Sequence, residues 1–112
     1  VTNRPKIKGT AFETEVVRYL NENGYPYAER RALVGTLDKG DITGMGPELV
    51  IECKNHQTLN FSGWLKEAEQ ERQNADAEYG IVVAKRRGKG AAESYVVLTL
   101  ADFIRLWKER DE

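Results

Sequence analysis

Gly40-Asp41-Ile42-Thr43-Gly44-Met45-Gly46-Pro47-Glu48-Leu49-Val50-Ile51-Glu52-Cys53-Lys54 is the stretch on which the fold turns. Asp41-Ile42-Thr43, set between glycines, reads as a short strand, and Glu48 to Lys54 alternates well enough for a second. Met45-Gly46-Pro47 supplies the turn, so the two strands return antiparallel. Residues i and i+2 of a strand share a face, so Glu52 and Lys54 project together while Leu49, Ile51 and Cys53 turn into the core. Asp41 then approaches Glu52, and two acids and a lysine meet at one end of a sheet. Both acids occupy places where core or β-favouring residues are expected. An exposed Glu-x-Lys pair by itself is worth about 0–1 kcal/mol and means little; its combination with Asp41 is what carries weight.

Upstream, Phe12, Val16, Val17 and Leu20 share one face of a helix predicted from Thr10 to about Asn23, with Asn23-Gly24 as its stop. Tyr25 to Leu33 is strand-like, with an irregular start at Pro26. Downstream, Trp64, Leu65, Ala68, Arg72, Ala75 and Tyr79 recur at helical spacing, and Ser62 is the expected cap. Gly80 to Ala84 and Ser94 to Leu100 read as strands on either side of the Gly88-Lys89-Gly90 break. Ala101 to Glu109 closes the chain as a short helix with Phe103, Ile104 and Trp107 on one face. The expected order is αβββαββα, a mixed sheet flanked by helices in one domain over residues 1–112, without repeat or linker.

At 112 residues, 40% hydrophobic and 31% charged, the chain fits a single core. Apolar runs such as Tyr95-Val96-Val97-Leu98 fall far below the ~20 residues of a membrane span, and no basic-then-apolar leader opens the chain. A soluble cytoplasmic protein with no membrane partner is expected. Cys53, the single cysteine, excludes an internal disulfide and a cysteine-based zinc site. The net charge of -1 argues against coating nucleic acid by bulk positive charge. Basic residues nevertheless cluster at Arg4, Lys6 and Lys8, at Arg30-Arg31, and at Lys85-Arg86-Arg87 with Lys89, away from the acids Glu67, Glu69, Glu71, Asp76 and Glu78. Arg30, Arg31, Lys85, Arg86, Arg87 and Lys89 are the candidate DNA contacts, although a solvated loop is compatible with any one cluster alone.

Asp41, Glu52 and Lys54 suit hydrolysis of a phosphodiester. Hard carboxylate oxygens hold Mg²⁺, the ion neutralises developing phosphate charge, and a lysine orients or helps deprotonate the attacking water. Glu13 has two readings: Thr10-x-x-Glu13 is a capping box, yet Glu13 also falls on the buried face of the first helix, where a carboxylate needs a partner. Glu15 points away from that face. His56 is a proton carrier or a solvated loop residue, and Arg72 snorkels past Trp64 and Ala68 or reaches for phosphate. Trp64 and Trp107 read as core or interface residues.

At Gly40-Asp41, Glu52-Cys53-Lys54 and Gly9-x-x-x-Glu13 the chain resembles the PD-(D/E)xK nuclease superfamily, and within it the archaeal-type Holliday junction resolvases and their phage relatives. The resemblance covers the first helix, the three strands and the second helix, with Gly40 standing where a proline usually precedes the aspartate. It implies a restriction-endonuclease-like core. It also implies Asp41 and Glu52 as metal ligands, the Cys53 carbonyl as a further ligand, Lys54 as the water-activating residue, and Glu13 as an additional metal- or water-binding acid. The implied activity is that of a Mg²⁺-dependent DNA endonuclease, with Mn²⁺ able to substitute. Its substrate would be branched DNA, above all the four-way junction, left with 5′-phosphate and 3′-hydroxyl ends. An end-, flap- or single-strand-acting nuclease of the same fold is the alternative enzyme; a non-catalytic DNA-binding module is the alternative of another class. Paired cuts from a chain with one Asp41, Glu52 and Lys54 set call for a two-fold homodimer. The final helix and the Tyr95 to Leu98 strand are its candidate interface, positions that would serve equally as core.

Overall fold

The computed structural model of the protein describes residues 4–32, 35 and 37–110. Its elements run α1 (Arg4–Glu22), β1 (Glu29–Arg30), β2 (Ile42–Thr43), β3 (Leu49–Lys54), α2 (Phe61–Ala75), β4 (Tyr79–Ala84), a 3-10 turn at Ala91–Glu93, β5 (Tyr95–Val97) and α3 (Leu100–Glu109). β1, β2 and β3 form an antiparallel meander, β4 lies parallel to β3, and β5 returns antiparallel beside β4. The sheet order is β1-β2-β3-β4-β5, the mixed, helix-flanked restriction-endonuclease-like architecture expected from the sequence. No helix among the described residues is long and apolar enough to cross a membrane.

Alternation along β3 decides which helix covers which face of the sheet. Ile51, with Leu49 and Cys53, packs beneath Phe12 and Val16 of α1, together with Ala28, Ile42 and Val83. On the opposite face Trp64 and Ala68 of α2 lie on Val82 and Ala84 of β4, whose register partners on β3 are Glu52 and Lys54. α2 therefore puts its apolar half over β4 and its acidic half over β3. The approach is close at Gly80, where a Cβ would meet the Ala68 carbonyl oxygen at 2.6 Å.

Several boundaries differ from the sequence reading, each for a local reason. α1 starts at Arg4, with Pro5 in the first turn, where a missing N–H costs no helical bond. Thr10 is thus interior to the helix and accepts from the Thr14 hydroxyl through its carbonyl, so the capping box at Thr10-x-x-Glu13 does not form. The strand expected from Tyr25 shrinks to Glu29–Arg30, because the Tyr25 N–H donates to Leu20 O (3.0 Å) and the Ala28 N–H to Tyr25 O (3.2 Å), winding this segment into turns. Leu33, the expected end of that strand, lies outside the described residues. Asn60, not Ser62, caps α2, its side chain accepting from the Gly63 N–H at 3.1 Å. Asp76, in the left-handed region at φ 52°, ends α2, and Tyr79 opens β4 instead of continuing the helix.

α3 is tethered to the sheet by polar contacts: Tyr79 Oη donates to Glu109 Oε1 at 2.6 Å, and the Arg105 guanidinium lies 4.5 Å from the Tyr79 ring centre. Its large apolar side chains, Leu100, Phe103, Ile104, Leu106 and Trp107, are exposed and form no part of the core.

Gly40 has φ +99°, and a Cβ there would meet Val50 Cγ1 at 2.8 Å and Ile51 O at 3.0 Å. Proline, locked near φ −65°, cannot take this conformation, so the glycine before Asp41 is a backbone requirement of this chain. Gly40→Ala is expected to destabilise the fold by roughly 1–3 kcal/mol from backbone strain alone, seen as a melting temperature lower by several degrees. An unchanged melting curve would contradict the conformation assigned to Gly40.

Candidate active site

Asp41 enters the site on a fully bonded backbone: its N–H donates to Ile51 O and its carbonyl accepts from the Arg31 N–H, both at 2.8 Å. Its side chain reaches across to β3, where Oδ2 accepts from the Cys53 N–H at 2.8 Å. The Asp38 carboxylate accepts from the Gly40 N–H at 2.9 Å in an Asx turn, and the Asp38 carbonyl accepts from Asn74 Nδ2 of α2 at 2.8 Å. The Asp38–Asp41 segment is thereby pinned to both β3 and α2.

Glu52 and Lys54 face α2 as a pair. Two residues along a strand advance roughly 6.6 Å and four along a helix about 6 Å, so β3 and α2 can match two contacts in register. Lys54 Nζ donates to Glu67 Oε2, and four residues further along α2 Glu71 stands against Glu52. Glu52 and Glu71 are only 6% and 4% exposed. Glu71 Oε2 is buried with no hydrogen-bond partner among the described residues. Carboxylate oxygens of Asp38, Glu52 and Glu71 all lie within 4.8 Å of one another. A 780 Å³ pocket opens over these groups, with Lys8, Glu13, Asn55 and His56 in its wall.

Crowding and burial govern the charges. Burial, reinforced by contact with Glu52, pushes the Asp41 carboxyl up to about 8, against the weaker pull of the Cys53 N–H. Burial raises Glu52 to about 8, the hydrogen bond shared with Asp41 opposing the shift and Glu71 adding to it, and burial raises Glu71 to about 7. Glu13 is likewise raised, first by burial and then by the charge of Asp41. Burial pulls the Lys54 ammonium down, but the Glu67 bond and the charges of Glu52, Glu67 and Asp41 outweigh it, leaving its pKa above that of ordinary lysine. Burial also pushes the Cys53 thiol up, so its side chain is a core group and not a thiolate ligand.

A set of hard carboxylate oxygens, one of them buried and unpartnered, fits a divalent cation such as Mg²⁺. The cluster is therefore a candidate metal-binding active site of hydrolytic type. No protein-family model, curated protein or solved structure matches the chain.

Asp41, Glu52, Lys54 and Glu13, named from the sequence, line this one pocket, as does Cys53. Glu13 is held by Arg30, whose Nε donates to its Oε1 at 3.2 Å. Arg31 lines a separate hollow with Lys39 and Gly40, while residues 85–88 line another with Tyr95. Lys85 is tied to Glu15 at 3.4 Å and Lys89 to Glu93 at 3.9 Å. Arg72 is bound to Glu69 and to the Ala77 carbonyl, which makes it a structural residue of α2. His56 packs its ring 5.4 Å from Trp64 at the pocket wall. Sequence reasoning passed over Asp38, Glu67 and Glu71. Glu71 had a usable signal: with Trp64, Ala68 and Ala75 it completes a 3.6-residue stripe in which an acid is out of place. Asp38 had none, since its role follows from the turn at Gly40.

Because Asp41 and Glu52 hold protons to about pH 8 when folded but near pH 4 when unfolded, the folded chain binds more protons between those values. Stability of the metal-free protein is therefore expected to fall as pH rises across that window. Mg²⁺ should raise the melting temperature more at about pH 8 than at about pH 5, where protons compete for the same oxygens. Asp41→Asn should flatten both dependences. Melting curves with and without Mg²⁺ check this, and a metal-free stability that rises from pH 5 to pH 8 would contradict it.

Proposed function

We propose that the protein is a Mg²⁺-dependent endodeoxyribonuclease of the PD-(D/E)xK type, acting on branched DNA as a Holliday junction resolvase does. The observation that carries the reading is Asp41 hydrogen-bonded onto β3 at Cys53, beside buried Glu52 and in one pocket with Lys54. Asp41 and Glu52, with the Cys53 carbonyl, would hold the ion as the resemblance implies, Asp38 and Glu71 lie close enough to Glu52 to offer further oxygens, and Mn²⁺ would fill the same oxygen site. When bound, the metal neutralises charge on the scissile phosphate and acidifies water. Lys54 is a pinned cation, which suits it to orient the attacking water or a phosphate oxygen and not to deprotonate. Glu13, steadied by Arg30, offers a carboxylate facing Asp41 from α1 and so a place for a water or its proton.

Preference for the four-way junction rests on the resemblance at these residues. The exposed apolar face of α3 supports the homodimer that paired cuts require, since one small domain leaves Leu100, Phe103 and Trp107 uncovered. Sedimentation at micromolar concentration is expected to give a dimer.

Cleavage of labelled junction, flap and duplex DNA, with and without Mg²⁺, tests the reading. Asp41→Asn and Glu52→Gln are expected to abolish cleavage while DNA binding survives, because shape is kept and only anionic ligation is lost. Lys54→Ala should cut the rate heavily and affinity little. An Asp41→Asn protein that cleaves at the wild-type rate, or wild-type cleavage in the presence of a chelator, would sink the assignment.

A further inference from the structure

A second hollow adjoins the acidic pocket, and Lys8, Asn55, His56 and Gln57 belong to the walls of both. It measures about 420 Å³ and is completed by Leu59, Tyr95 and residues 85–88. The two hollows differ sharply in charge. Six carboxylates line the first: Glu13, Asp38, Asp41, Glu52, Glu67 and Glu71. No acid among the described residues lines the second.

The cations of this second wall are not equivalent. Lys85 is spent on Glu15 and on the Lys89 carbonyl at 3.1 Å. Among the described residues no carboxylate pairs with Lys8, Arg86 or Arg87. The turn that carries the two arginines is closed by the Lys89 N–H donating to Arg86 O at 3.1 Å, with Gly88 at φ +74°. Arg86 is placed further by the Tyr95 ring, 5.3 Å below its guanidinium. Its position is thus set before any ligand arrives, so less freedom is lost on binding an anion.

Apolar surface lies beside these cations: Leu59 is 46% and Tyr95 39% exposed. A polyphosphate alone has no use for that surface, and neither does a duplex, whose bases are stacked inside. Cations combined with an aromatic face suit a single strand, whose phosphates and unstacked bases are both accessible.

We propose that this hollow is the subsite for the nucleotide next to the scissile phosphate, and that this nucleotide is unpaired in the substrate. Arg86, Arg87 and Lys8 take its phosphate, while its base lies against Tyr95, Leu59 and His56. The subsite rests on the phosphodiesterase reading of the acidic pocket, because the shared wall makes one strand run across both. Branched DNA supplies such unpaired nucleotides at the branch point, and flaps supply them along their length.

The test uses the full chain in a chelator, with anisotropy of a dye-labelled oligothymidylate and of a hairpin duplex. Arg86→Ala combined with Arg87→Ala should reduce the slope of log affinity against log salt on the single strand by ~1.4. Tyr95→Leu should lower the ratio of single-strand to duplex affinity by about five-fold or more, and Tyr95→Phe should restore it. Leu59→Ser, at an exposed position, should lower that ratio too and gives the answer if Tyr95→Leu proves unfolded. An unchanged salt slope, or an unchanged ratio in folded Tyr95→Leu or in Leu59→Ser, would overturn the subsite. Mg²⁺-dependent hydrolysis of bis(p-nitrophenyl) phosphate, too small to need the subsite, separates the two claims. The wild type should show that activity. Its absence in the wild type, together with no cleavage of DNA, would defeat the phosphodiesterase reading while the binding ratios still report on the hollow.

Discussion

Glu52 is enclosed between carboxylates, with Asp41 on one side and Glu71 across the β3–α2 interface on the other. At 6% exposure water screens little of their mutual repulsion, and each charge costs several kcal/mol to bury without compensation. Apolar residues at these positions would give a more stable sheet. The metal-free fold meets the cost by holding protons, which is why all three carboxyls are pushed far above their ordinary values. A divalent cation removes the same cost in another way: it supplies the positive charge, and Glu71 Oε2 gains the partner it lacks. Such a site trades stability for the capacity to bind an ion.

That arrangement depends on how α2 lies on the sheet. Ala68 against Gly80 brings the helix close enough for its acidic stripe to hang over β3, and the matched rise of strand and helix pairs Lys54 with Glu67 and Glu52 with Glu71. Asp41 comes from the other direction, through a positive-φ glycine and a side-chain bond to the Cys53 N–H. The acids converge at one end of β3, and beyond that end lie His56, the Arg86-Arg87 turn and Tyr95. Negative charge that attracts a cation thus adjoins positive charge that attracts an anion, an arrangement suited to a phosphate chain crossing both.

The element order and the meeting of Asp41, Glu52 and Lys54 were legible because strand alternation is a local property and the charges stand out against Leu49-Val50-Ile51. Glu13 was placed on the correct face of α1, although the capping role weighed beside it disappears once the helix begins at Arg4. Hydrophobic periodicity marks where a helix buries its face and not where it starts, so the polar turns before Thr10 escaped notice. Glu71 was hidden among neighbouring acids on α2, and Asp38 reaches the site only through a turn that a sequence does not display. The basic run 85–89 was read as uniform. Ion pairs with Glu15 of α1, remote in sequence, and with Glu93, four residues beyond Lys89, divide it into committed lysines and available arginines.

Anomalous scattering from crystals of the protein soaked in millimolar Mn²⁺ at neutral pH tests the central claim most directly, since it locates a cation without reference to activity. A peak within coordination distance of Glu52 and of Asp41 or Glu71 is the predicted result. No peak at the carboxylate cluster at that concentration would contradict the account.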